Sequence, residues 1–215
     1  HSAHGVRDGG KALVDAYLDL LESAGGEVRC RAEVNAVSVD SGRVAGVKLA
    51  TGEQLTAGEV VATLNPTLLP DLLPEGALRP AYLKRLRKLR QTMSAYILFG
   101  RCTSTTDLLE GSNLFVQPEP GLFSPGAEQP LEQRSLYLAA ANPMGGGGCG
   151  GVIGIIPACY SEVADYATGY KRRTSGYAAA KHVLETRIKD LCLRGCPELG
   201  DLEVLDLATP LTLHD

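Results

Sequence analysis

Apolar residues recur at helical spacing over residues 11–23, where Leu13, Tyr17, Leu20 and Leu21 share one face. Gly25 and Gly26 follow, and glycine accepts the left-handed geometry that ends helices. The period then changes to two. Val28, Cys30, Ala32 and Val34 alternate with polar neighbours and predict a strand over residues 27–39. Asp40-Ser41-Gly42 is a turn signal, residues 43–49 alternate again, Thr51-Gly52 is a second turn, and residues 53–57 make a short third strand. Val60-Val61-Ala62 is a continuous apolar run that predicts a strand buried on both faces.

Residues 65–80 carry four prolines and read as a crossover between domains. Pro80 suits the first position of a helix over residues 81–91. Tyr82, Leu83, Leu86 and Leu89 lie on one side of that helix, and Lys84, Arg85, Arg87, Lys88 and Arg90 occupy much of the rest. A solvated face over a core accounts for this pattern; so does a basic amphipathic helix drawn to anionic lipid. Strand-like runs follow at residues 95–101, 113–117, 135–141 and 152–158. Tyr177, Ala180, Leu184, Ile188 and Leu191 form the stripe of a helix over residues 175–193. A strand over residues 202–207 and the tail ATPLTLHD close the chain. These elements predict an α+β fold, with a mixed or antiparallel sheet flanked by helices.

Composition narrows the function. At 215 residues, 44% hydrophobic and 21% charged, the chain can bury a sizeable core. The net charge of −4 argues against a general nucleic-acid binder. No apolar run reaches the ~18 residues that span a bilayer. The start at His1 and the lack of a leader pattern suggest a piece of a longer chain, and a cytoplasmic setting in which Cys30, Cys102, Cys149, Cys159, Cys192 and Cys196 stay reduced. Cys192 and Cys196 form a CxxxC with no second ligand pair nearby, so no metal site is expected.

Candidate chemistry is sparse. The cluster Gly145–Gly148, Cys149, Gly150, Gly151 contains GxGxxG, but a dinucleotide site needs a helix after it. The following GVIGIIPACY reads as a strand, so a hairpin connection is expected. A helix beginning after Gly151 would instead favour a nucleotide site in an unrelated enzyme. His182 lies on the polar part of the last helix, and Asp201 and Glu203 look like surface charge. No nucleophile–base constellation can be assembled.

One long stretch is recognisable: GGKALVDAYLDLLESAGGEVRCRAEVNAVSVDSGRVAGVKLATGEQLTAGEVVATLNP. It resembles the FAD-dependent phytoene desaturase, carotenoid isomerase and amine oxidase superfamily from Gly9 to Pro66, in the order of a Gly-Gly entry, a helix, a second Gly pair, an AEV strand, a meander, a VV run and a turn with proline. The last helix, PELGDLEVLDLATPLTL and the hairpin NPMGGGGCGGVIGIIP are similar to later parts of that family. The family's N-terminal strand–GxGxxG–helix and its C-terminal flavin segment have no counterpart here. The resemblance implies that residues 1–66 are part of a FAD-binding domain, residues 67–206 a substrate domain and residues 207–215 a return. It implies FAD in the parent protein, with Val34 presenting backbone groups to the adenine. Thr63, Asn65 and Pro66 would lie near the cofactor, and Gly9 and Gly10 near the flavin and substrate cavity. It further implies a lipophilic substrate undergoing desaturation, saturation or isomerisation, and a fragment inactive alone. The competing expectation is a non-catalytic binding module that holds no flavin.

Overall fold

The computed structural model describes residue 6 and residues 9–89, 92–102, 109, 112–118, 127–140 and 150–214. The fold is α+β, in two compact units. One comprises Leu18–Gln91, the other His1–Tyr17 with Thr92–Asp215. The first helix, α1 (Gly9–Ser23), runs through the division and begins two residues earlier than the sequence pattern predicts. Its stripe forms as expected, but Leu13, Tyr17, Leu20 and Leu21 are all exposed.

The smaller unit is built on an antiparallel meander, β1 (Val34–Asp40), β2 (Arg43–Leu49) and β3 (Gln54–Thr56). Ser41 and Gly42 both have positive φ, 50° and 77°. That is the geometry of a tight two-residue hairpin turn, and Asp40 pairs directly with Arg43 across it. Gly46 has φ 149°, and a Cβ there would run into the Leu55 carbonyl of β3. Beyond the meander come a 3₁₀ turn (Pro66–Leu68), the short α2 (Leu69–Leu72), which lies against β1, and α3 (Pro80–Arg87). Pro80 opens α3 as expected, and the helix ends four residues short of the expected boundary.

Two strand expectations fail here. Residues 27–33 are irregular, with Cys30 and Val28 exposed and Arg31 at φ 57°. Val60-Val61-Ala62 is not a strand either, and Val61 is 89% exposed. A strand exists only when a neighbour satisfies its backbone N–H and C=O groups. No described strand pairs with either segment, so their apolar patterns have nothing to bury against.

The larger unit contains a five-stranded antiparallel sheet in the order β10-β4-β7-β6-β5. Its strands are β4 (Ser94–Cys102), β5 (Asn113–Val116), β6 (Leu136–Ala140), β7 (Gly150–Ala158) and β10 (Glu203–Ala208). Between β7 and the long helix lies a small ribbon of β8 (Ala167–Gly169) and β9 (Arg172–Arg173). One face of the sheet is core: Tyr96, Leu98 and Cys102 of β4, Leu136 and Leu138 of β6, and Val152, Ile156 and Ala158 of β7 are buried. Helix α4 (Tyr177–Gly195) covers it through the predicted stripe, with Ile188 and Cys192 fully buried. Gly154 permits the close approach, because a Cβ there would sit 3.0 Å from the Cys192 sulfur.

A polar cluster fastens the end of this sheet. Arg134 is buried and makes a bidentate pair with Glu162, at 3.1 and 2.9 Å. It also donates to the Gln129 and Pro157 carbonyls. Glu162 accepts from the Cys159 backbone N–H at 2.6 Å and from the Tyr96 hydroxyl. Each nitrogen of the fork is thereby engaged, as a buried charge requires.

The tail forms α5 (Pro210–His214). Thr209 is fully buried and caps it: its Oγ1 accepts from the Leu211 N–H, Thr212 Oγ1 accepts from the Thr209 N–H, and the Tyr177 hydroxyl lies 2.7 Å from Thr209 Oγ1. The TPLT phrase is therefore a helix start, with a capping threonine and proline at the first helical position.

Removing Glu162 should destabilise the larger unit by about 3–5 kcal/mol, because it strands the buried Arg134 guanidinium. Glu162→Leu, followed by urea unfolding, is expected to lower the midpoint sharply. Arg134→Met combined with Glu162→Leu should recover much of the loss.

Candidate functional site

The sequence-derived site residues can be placed one by one. Val34 is the first residue of β1, opposite Leu49 and 36% exposed. Among the described residues β1 pairs only with β2, which leaves its other edge without a strand partner. A register irregularity between Val34 and Ala36 twists that edge further. Thr63, Asn65 and Pro66 are exposed. The Asn65 carboxamide oxygen caps the 3₁₀ turn, accepting from the Thr67 N–H at 3.0 Å and from its hydroxyl at 2.9 Å. Asn65 and Pro66 share a unit with Val34, and α2, which follows their turn, lies against β1.

Gly9 and Gly10 are not a loop, as the sequence pattern predicted, but the first two residues of α1. A helix can begin with glycine where its N–H groups are already without intrahelical partners. A Cβ at Gly10 would meet open space.

The larger unit supplies a surface that the sequence reading missed. On the sheet face opposite α4, cross-strand pairing aligns Phe115, Tyr137, Ile155 and Ile97 in one row through β5, β6, β7 and β4. A second row runs from Ala139 through Ile153 to Phe99. Phe115 and Tyr137 contact each other with ring centroids 5.0 Å apart, and Phe115 is 69% exposed. The strands look apolar on both faces in sequence, which conceals how large this second face is. Alternation in β4 and β7 was the available signal, once their partners were known.

His182 is exposed beside Glu185 at 3.4 Å, a surface role as expected. Glu203 forms a surface pair with Arg101. No cluster of three metal-ligating side chains exists among the described residues. Gly145–Cys149 lie outside them, while Gly150 and Gly151 open β7 rather than a helix, so that glycine segment does not lead into a dinucleotide-type helix. Burial pushes the Cys192 thiol up to about 12, with Cys196 and Cys102 nearby. The Tyr96 hydroxyl is likewise pushed up by burial and by the Glu162 charge. Neither group can ionise readily as a nucleophile or base.

The fold and these surfaces define a protein of the α+β class with an exposed sheet edge in one unit and a half-buried apolar sheet face in the other. The family pattern of flavin-containing amine oxidoreductases matches residues 2–110, and the chain belongs to that family. Its fold is similar to that of an oxidoreductase from Methanosarcina mazei, at 14% identity and a TM-score of 0.60 over 94% of this chain. It is also similar to a protein from Pyrococcus furiosus, at 13% identity and a TM-score of 0.59 over 94% of this chain. The chain spans 42% of the length of each of these structures. No curated protein matches it by sequence.

Brief alkylation followed by peptide mapping should label exposed Cys30 and spare Cys102, Cys192 and Cys196, which are buried. The thiol of Cys192 rises from an ordinary 9.0 to about 12. Its contribution to stability is therefore present below pH 9 and is lost as pH rises toward about 12, because the unfolded chain gives up that proton first. Cys192→Ala should flatten that alkaline decline in a thermal-melt series.

Proposed function

We propose that this chain is part of a FAD-dependent oxidoreductase acting on an apolar substrate, such as a carotenoid or another polyene, by desaturation, saturation or isomerisation. The observation that carries this reading is the apolar row Phe115–Tyr137–Ile155–Ile97 with its neighbour Ala139–Ile153–Phe99, half-buried along most of its length and exposed at Phe115 and Phe99. An extended apolar molecule can lie along such a face and bury area at roughly 25 cal/mol per Å². A polyene needs few polar anchors, which agrees with the absence of an acid–base constellation among the described residues.

The residues fit the cofactor in part. The free edge of β1 offers backbone groups at Val34 for an adenine contact, and the turn at Thr63, Asn65 and Pro66 lies in the same unit. Gly9 and Gly10 would approach the flavin and substrate. For the pyrophosphate, the described residues contain no glycine-rich strand–loop–helix. When bound, FAD would supply hydride acceptance at a carbon–carbon or carbon–nitrogen bond, or assist double-bond isomerisation. This chain's own contribution would be to align the substrate and keep water from it.

The exposed stripe of α1, the unpaired edge of β1 and exposed Val61 all favour a chain whose remaining surface is supplied by further sequence, as does its 42% coverage of the similar structures. On that basis the chain alone would be inactive.

Titration with a fluorescent polyene, parinaric acid, tests the substrate surface. Saturable binding is expected, and Ile155→Asp should weaken it at least tenfold, about 1.4 kcal/mol. Val183→Asp, on exposed α4 surface, should leave it unchanged. Equal binding in all three proteins would remove the reading. After mixing with FAD and desalting, the chain should retain no flavin absorption; a stable flavin spectrum would mean that the cofactor site is complete within these residues.

A further inference from the structure

We propose that α3 is a docking surface for the anionic headgroups of a phospholipid bilayer. The helix buries Leu86 and turns Leu83 partly inward, against the 3₁₀ turn of the same unit. Its other positions are all exposed. Lys84, Arg85, Arg87 and Lys88 therefore project from two helical turns at once. Lys84, Arg87 and Lys88 line a shallow cavity of about 360 Å³ with Pro80 and Leu83. Among the described residues, none of the four cations has a carboxylate partner; Arg85 instead lies over the Tyr82 ring, 5.5 Å from its centroid.

The surrounding sequence sharpens the contrast. From Gly76 to Gln91 there are six basic residues and no acidic one, in a chain whose net charge is −4. Unpaired like charges this close repel one another, so the arrangement costs stability unless a polyanion is present.

The flank of the helix favours a bilayer over other polyanions. Tyr82 is 40% exposed and Leu89 50%, on one side of the cationic face. A tyrosine ring and a leucine beside lysine and arginine match the headgroup region, where amphipathic side chains and cations sit together. The buried position of Leu86 means that the helix rests on the surface rather than inserting its apolar side. Binding is then chiefly electrostatic, each cation near an anionic surface being worth roughly fivefold in partition. No helix among the described residues is long and apolar enough to cross a membrane.

Co-sedimentation of the full chain with sucrose-loaded vesicles tests this, independently of any flavin or polyene binding. Vesicles of phosphatidylcholine mixed with phosphatidylserine should retain the protein, and vesicles of phosphatidylcholine alone should not. The triple change K84E/R87E/K88E should lower retention by at least about tenfold, and high salt should do the same. The charge-conserving K84R/R87K/K88R should keep it, with circular dichroism confirming that both variants fold. Equal retention on neutral vesicles, unchanged retention in the charge-reversed variant, or binding to a single-stranded oligonucleotide with vesicles at background would each overturn the proposal.

Discussion

The larger unit depends on a sheet that buries one face only. Helix α4 closes over β7 because Gly154 leaves room for Cys192, and Leu98, Leu138 and Ile156 are sealed beneath it. Antiparallel strands alternate their side chains, so packing one set inward necessarily turns the other outward. The rows ending in Phe115 and Phe99 are the geometric consequence of that burial. What is ordinarily a polar face is here apolar, and the candidate substrate surface follows from this departure.

The polar cluster of Arg134, Glu162 and Tyr96 fixes the end of the same sheet. Glu162 joins Tyr96 of β4, the segment before β6 and the turn after β7, across sequence separations of 66 and 28 residues. A buried guanidinium is tolerated only because its donors meet a carboxylate and two carbonyls. The strands bearing the half-buried apolar face are thus held in register by groups lying outside that face.

The smaller unit has a different character. Its meander is locally determined, with Ser41-Gly42 and Gly46 holding the chain in conformations set by the hairpin and by close contact with β3. In the same unit Leu20 and Leu21 of α1 and Val61 remain exposed, and among the described residues β1 pairs with β2 alone.

The amino-acid sequence by itself determined the helices at 9–23 and 177–195, the meander turns, the sheet strands to within a few residues, and the start of a strand after the glycine cluster. Those features rest on neighbours close in the chain: helical stripes, glycine at positive φ, proline at a helix start. The Thr209 cap was legible only as a phrase, since its tyrosine partner is 32 residues away. Tertiary structure alone decided that residues 27–33 and 60–62 are not strands, because a strand needs a partner that no local pattern can supply. It decided likewise which apolar face of the sheet became core, and that Arg134 meets Glu162. Both outcomes depend on long-range register, and alternation with a period of two records only that two faces exist, not what covers either one.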